Sequence, residues 1–358
     1  MLNTGQLTLP SFTPTLALFR AAEVHPVVRY QIAASGLRIS AATTSHLVSV
    51  HHRAVTADTS ATATIDLEQA AGSVQLVQGK WAVNGEPVER RARPRTRLRP
   101  RPLPTSVRVC KTSSRTLRDL LGTFLKAPHV TAAVFDARSD RLRLAADGDV
   151  VRIVAAVADA TFDGHQPVAS SMPLTLAHAA LGVLPADVAV TVTIGDGVTV
   201  LSAQDTAITI ESLADNPTAT LPEVPQPKRR RHDVSLPLSQ WKEFNDQVHK
   251  PFIDTVPACH LRVRGSGDQQ TLTIDVRSGG HAYHAELPCS TSDSFAIDVP
   301  WQSFQAALAP AITAGSDSVT LRIFDQQPTL TPLVVNFTSP AISGYAATVA
   351  RKPLLMVA

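Results

Sequence analysis

Residues 233–250 read DVSLPLSQWKEFNDQVHK, and residues 295–312 read FAIDVPWQSFQAALAPAI. Both begin with apolar and polar residues in alternation, the period of a strand with one buried face. Both then change to apolar spacings of three and four, the period of a helix with one buried face. In the first stretch a strand is expected over 233–238. Ser239 is the expected N-cap of a helix over 240–250 with Trp241, Phe244 and Val248 on one side. In the second, the strand is 295–299. Pro300 opens a helix over 301–312 with Trp301, Phe304, Leu308 and Ile312 as its stripe. Alternating segments at 260–264, 271–276 and 281–287 lie between the two stretches, and others at 319–324, 333–338 and 345–350 follow them. The implied unit is a strand, a helix and three strands, passed through twice.

The same order can be followed upstream. A strand at 106–110 precedes a helix capped by Ser113 or Ser114 and ending at Lys126, with Leu117, Leu120, Leu121 and Phe124 inward. Strands are expected at 130–135, 141–145, 150–157 and 168–171. Pro173 then precedes a helix ending near Leu184, and strands at 188–194, 198–203 and 207–211 complete the round. Nearer the start, a strand at 7–10, a helix at 12–22 with Leu16 and Phe19 inward, and strands at 27–33, 37–41, 46–54 and 61–65 repeat the pattern. The second helix of this copy is reduced to 67–72.

The chain has 358 residues, 44% hydrophobic and 18% charged, enough to bury several cores and too long for one ordinary core. Two basic, proline-rich runs interrupt it. Seven arginines (Arg90, Arg91, Arg93, Arg95, Arg97, Arg99 and Arg101) fall within 88–104, and Lys228 to Arg231 are all basic. Alternating Arg and Pro suits neither a helix interior nor a central strand. These runs therefore read as linkers, giving domains at 1–105 (with the linker at 88–104), 106–225 and 226–358. The net charge of +3 is concentrated in the linkers, and the rest of the chain is mildly acidic.

Several function classes find no support in the sequence. The first ten residues lack the basic start and apolar run of a secretory signal, and no apolar stretch is long enough for a membrane helix, so a cytoplasmic protein with no membrane association is expected. Cys110, Cys259 and Cys289 are far apart and form no CxxC pair. His51 and His52 on one strand point to opposite faces, as do His281 and His284, so neither pair suits a shared metal. No GxSxG, P-loop or GxGxxG motif occurs. No enzyme, metal or cofactor is expected.

The residues Leu142-Arg143-Leu144-Ala145-Ala146-Asp147-Gly148-Asp149-Val150-Val151 resemble the second-domain strand-turn-strand of the bacterial β-type sliding clamps (the DNA polymerase III β subunit family), usually ATDGHRL. Asp215-Asn216-Pro217, running to Leu221-Pro222-Glu223-Val224-Pro225, resembles the proline-rich junction between clamp domains. Length and repeat order match across essentially the whole chain. Three features depart from the family. Asp149-Val150-Val151 replaces His-Arg-Leu, residues 349–358 replace an ending like Met-Pro-Met-Arg-Leu, and the second helix of the first module is eroded. A divergent or phage-borne clamp is implied.

The resemblance implies an α+β fold of three tandem DNA-clamp modules, each with two helices backed by antiparallel sheet. Outer strands pair between modules and remove exposed edges, and a head-to-tail homodimer closes a ring around double-stranded DNA. Such a ring is a processivity factor that tethers a polymerase. On this basis helix cations meet phosphates without reading sequence, with Arg20, Arg115, Arg118, Lys126, Lys242 and Lys250 as candidates. DNA polymerase and clamp loader dock through short linear motifs in an apolar pocket. By position that pocket takes Val134, Ala146, Gly148, Val151, Pro217, Trp301 and Val349 or Leu354. The competing reading is a β-rich structural or interaction protein, phage or bacterial, that threads no DNA.

Overall fold

The computed structural model describes residues 6–8, 12–22, 27–58, 60–88, 103, 107–127, 130–137, 141–148, 151–157, 160–163, 168–214, 231–249, 258–264, 270–278, 281–291, 296–324 and 333–348. The arginine-rich run at 90–101 and Lys228 to Arg230 lie outside these residues.

The element order repeats three times. The first copy is β1 (Gln6–Thr8), α1 (Thr13–Ala21), β2 (Val27–Ala33), β3 (Gly36–Ala42), β4 (His46–His52), β5 (Ala61–Asp66), a 3-10 turn (Gln69–Ala71), β6 (Val74–Val77), β7 (Lys80–Val83) and β8 (Glu86–Pro87). The second is β9 (Val107–Ser113), α2 (Ser114–Lys126), β10 (Ala132–Asp136), β11 (Leu142–Asp147), β12 (Val151–Val157), β13 (Thr161–Asp163), β14 (Ala169–Pro173), α3 (Leu174–Val183), β15 (Ala189–Gly195), β16 (Val198–Ala203) and β17 (Thr206–Ser212). The third is β18 (Arg231–Pro237), α4 (Leu238–His249), β19 (Ala258–Arg264), β20 (Thr271–Ser278), β21 (His281–Pro288), β22 (Ser290–Thr291), β23 (Ala296–Pro300), α5 (Trp301–Thr313), β24 (Ser318–Phe324), β25 (Leu333–Thr338) and β26 (Ile342–Thr348). The mixed α+β class with antiparallel sheet is as expected.

Local chemistry explains the strand-to-helix switches. β14, β18 and β23 end on Pro173, Pro237 and Pro300, and a helix starts at the next residue. Proline fixes φ near its extended value and has no N–H to leave unsatisfied; Pro173 and Pro300 sit at φ −54° and −57°. Ser239 is therefore not the N-cap expected of it. α4 already begins at Leu238, whose N–H donates to the Asp317 carbonyl at 2.9 Å. Ser113 does cap α2, its Oγ accepting weakly from the Thr116 N–H at 3.5 Å.

The sheets follow one rule. The strand that leads each round is exchanged into the sheet of the other round. The first copy gives β5-β2-β3-β4 and β1-β6-β7-β8, and the third gives β23-β19-β20-β21 and β18-β24-β25-β26. The second gives β9-β15-β16-β17, with β14 beside β10 and β11 beside β12. The last strand of each round is thus left with an open edge, and two seams close four of these edges. β17 pairs antiparallel with β4, Thr206 to Ser212 against His52 to His46. β12 pairs antiparallel with β26, Val151 to Val157 against Thr348 to Ile342. Among the described residues, β8 and β21 are the two last strands left at the end of their sheets.

Two compact units result. One gathers residues 1–118, 134–142 and 159–220, and the other 119–133, 143–158 and 221–358. In the first, α1 and α3 pack together, burying Leu16, Leu18 and Phe19 from α1 and Leu174, Leu176, Ala177, Ala180 and Leu181 from α3. In the second, α5 lies on β12, β25 and β26 with Trp301, Phe304, Leu308 and Ala311 buried.

β4 also carries three histidines whose protons bear on stability. His52 Nε2 lies 3.2 Å from Thr15 Oγ1 of α1, and its ring is 4.7 Å from that of Phe12. His46 contacts the Ser171 carbonyl and Ser45 Oγ. Burial lowers the pKa of His46, His51 and His52, with further lowering by Arg38 and Arg53 at His51 and by His51 at His52. The fold therefore favours the neutral rings, and the unfolded chain binds more protons below the ordinary histidine range near 6.5. That stabilisation is present above pH 6.5 and is lost as pH falls through the lowered folded values. Thermal melts followed by circular dichroism should show a lower Tm at about pH 5 than at about pH 7.5. An equal or higher Tm at the acid end contradicts this.

Candidate DNA interface and partner pocket

The cations expected to meet DNA fall into three groups. Arg20 and Lys126 are exposed in the last turns of α1 and α2, where a positive charge also complements the helix dipole. Arg115 is exposed on the first turn of α2, with Asp187 Oδ1 at 3.8 Å; a pair this open to water holds it weakly. Arg118 is committed elsewhere. Its Nη2 donates to the Leu181 carbonyl at 2.7 Å and to that of Leu184 at 3.4 Å. These are carbonyls left over at the C-terminal end of α3, so Arg118 serves as a cap for α3, all three residues lying within the first unit. The side chain of Lys242, and all of Lys250, lie outside the described residues.

Of the five residues assigned to a partner pocket that are described, four are interior. Val134, Ala146 and Val151 are buried on β10, β11 and β12. Gly148 is half-buried, and its N–H donates to the Val151 carbonyl at 3.0 Å, closing the β11–β12 turn. Across that turn Arg152 Nε reaches Asp147 Oδ1 at 2.9 Å. Trp301 is 2% exposed. Its ring lies 5.5 Å from that of Trp241, 6.0 Å from Phe244 and 6.3 Å from Phe304, an aromatic cluster that locks α4 to α5. Pro217, Val349 and Leu354 lie outside the described residues.

Two features escaped sequence reasoning. The first is a row of side chains across β21-β20-β19-β23, in which His284 stands opposite Asp275, Asp275 opposite His260, and His260 opposite Asp298. His284 Nδ1 is 2.8 Å from Asp275 Oδ1, and hydrogen bonding to Asp275 is the main cause that raises its pKa. Strand register alone assembles this row from four separate segments. Among the described residues no group of three His, Cys, Asp or Glu is placed to hold a metal ion. No helix among them is long and apolar enough to cross a membrane.

The second is an open cavity of about 500 Å³ between α1 and the 3-10 turn of the first copy, lined by Phe12, Leu16, Arg20, Tyr30, Ala70 and Val74 among others. The shortened segment at 67–72 was its only sequence signal.

No protein-family model matches the chain, and no curated protein matches it by sequence. Solved structures do match. The DNA polymerase III beta subunit of Thermotoga maritima superposes with a TM-score of 0.67 at 11% identity, covering 97% of this chain and 99% of that one. The DNA polymerase III subunit beta of Pseudomonas aeruginosa gives 0.66 at 12% identity, with 97% and 99% covered. The Helicobacter pylori beta clamp bound to a DNA ligase peptide gives 0.64 at 10% identity, with 96% and 100% covered. Over almost its whole length the chain has the fold of these beta clamps.

Proposed function

We propose that the chain is a DNA sliding clamp: a non-enzymatic, ring-shaped processivity factor, formed by two copies, that encircles duplex DNA in the cytoplasm and tethers a DNA polymerase. One observation carries this reading. Two seams pair last strands from different copies, β4 with β17 and β12 with β26, and among the described residues β8 and β21 are the last strands that remain at sheet ends. These belong to the first and last copies of the repeat. A second chain placed head to tail offers β21 to β8 and β8 to β21, which satisfies both of these edges.

A closed ring holds DNA by topology, so it needs no base contacts. Arg20, Arg115 and Lys126 are the exposed helix cations that would meet phosphates, and the arginines at 90–101 would add to the attraction. Polymerase and clamp-loader motifs would dock near the β11–β12 turn, where Gly148 is accessible and where Pro217, Val349 and Leu354 are the remaining sequence-assigned contributors.

The test is topological. Loaded onto nicked circular DNA, the protein should stay bound through a moderate-salt wash and be released when the circle is cut. Equal retention on circular and linear DNA sinks the proposal. A specific observation favours the competing reading: β8 covers only Glu86 and Pro87, a short edge beside the seven-residue seams. A β-rich interaction protein that threads no DNA would show no dependence on DNA ends.

A further inference from the structure

The first copy lacks what the other two have. Residues 174–188 separate β14 from β15 and residues 301–317 separate β23 from β24, and each stretch contains a full helix. Only residues 67–73 separate β5 from β6, and they form one 3-10 turn. In the third copy Trp301 and Phe304 of α5 fill the space beside α4. In the first copy the space beside α1 is the open cavity of about 500 Å³, a volume usual for small-molecule sites.

Its lining is more specific than a packing gap requires. Tyr30 of β2 is wholly buried in the cavity wall, and its hydroxyl has no hydrogen-bond partner among the described residues. Behind it, with ring centroids 5.7 Å apart, the buried indole N–H of Trp81 also has none. Two adjacent orphan donors cost stability unless a bound group accepts from them, and unsatisfied groups of this kind are few in native proteins. Burial drives the Tyr30 phenol well above its ordinary range, so it remains a donor at every working pH. Arg20 adds an exposed guanidinium, and among the described residues no Asp or Glu lines the cavity. Phe12, Leu16 and Val74 supply apolar wall. The opposite side is held in place: Asn84 Oδ1 accepts the Ser73 N–H at 2.9 Å, and Gly72 passes so near Asn84 that a Cβ there would lie 2.5 Å from that oxygen.

We propose that this cavity binds a compact organic carboxylate with an apolar body. The body would rest against Phe12, Leu16 and Val74, and the carboxylate would accept from Arg20 and the Tyr30 hydroxyl. An anion is favoured because Arg20 is a cation and the Tyr30 hydroxyl, with the Trp81 N–H next to it, has no acceptor among the described residues, while Thr13 and Ser73 add hydroxyls to the lining. The site does not depend on ring closure or on DNA.

Calorimetric titration of the full chain with 3-phenylpropionate, and separately with 3-phenylpropan-1-ol, tests this directly. The acid should bind one site per chain, and the alcohol, with the same body and no charge, about tenfold more weakly or worse. Arg20→Gln and Tyr30→Phe should each weaken the acid about tenfold. Arg262→Gln, exposed on β19, should leave it unchanged. Tyr30→Phe should also leave the ligand-free Tm unchanged or raised, because it removes a buried unsatisfied group. No saturable binding of the acid, equal binding of the alcohol, or full affinity in both Arg20→Gln and Tyr30→Phe overturns the assignment.

Discussion

Replacing Trp241 with alanine is expected to remove about 3–5 kcal/mol of stability, a large share of what an ordinary domain has. Trp241 is 1% exposed, and its ring centroid lies 5.0 Å from Phe304, 5.5 Å from Trp301 and 5.8 Å from Phe244. Truncation leaves a void bordered by three rings that are themselves fixed by α4 and α5. Each lost aromatic pair adds about 0.5–1.5 kcal/mol to the lost burial. Trp241→Phe keeps most of the volume and should cost about 1–2 kcal/mol. Urea unfolding of the three proteins gives the comparison. A loss below about 1 kcal/mol for the alanine variant would mean that the cluster collapses around the gap and that the helices are held by other contacts.

Gly344→Val should be as damaging by a different route. Gly344 on β26 stands opposite Ala155 on β12, in the seam that joins the second and third copies. A Cβ at this position would overlap the Val154 carbonyl oxygen and lie 2.8 Å from Ala155 Cα and 3.1 Å from Phe337 Cζ. The first two are backbone atoms of the paired strand, so no rotamer change relieves the clash and β12 must move away from β26. The expected cost is about 3 kcal/mol or more, at the upper end for overpacked sites. Hydrogen exchange should show lost amide protection along 151–157 and 342–348. The neighbouring Ser343→Val, at a half-buried position, should cost less than about 1 kcal/mol. Preserved protection in Gly344→Val would show that the seam has slack not visible in the structure.

The change of period at Pro300 and the alternation over 333–338 are the most legible signals in the sequence. The helix expected to follow Pro300 begins at Trp301, and the strand expected over 333–338 has those bounds. The start of α4 was misplaced by two residues because Ser239 resembles a cap, while the proline-terminated strand runs straight into the helix. β6, β7 and β8 were not anticipated. They are short, and their signals were the Gln78-Gly79 and Asn84-Gly85 turns, all four residues at positive φ, the tight-hairpin geometry that such pairs favour.

The exchange of leading strands leaves no linear trace, since nothing in the spacing of β5 places it beside β2. The His284, Asp275, His260 and Asp298 row is invisible for the same reason. Residue type could not separate roles that burial separates. Arg118 looks like a surface cation in sequence, yet it bonds the end of α3, and Trp301, on its helix stripe, sits among three rings.

Light scattering coupled to size exclusion, across a range of concentrations at moderate salt, asks whether β8 and β21 find each other in a second chain. The expected particle is twice 38.1 kDa and does not grow further as concentration rises. A particle of 38.1 kDa throughout, or one that lengthens without limit, would contradict it.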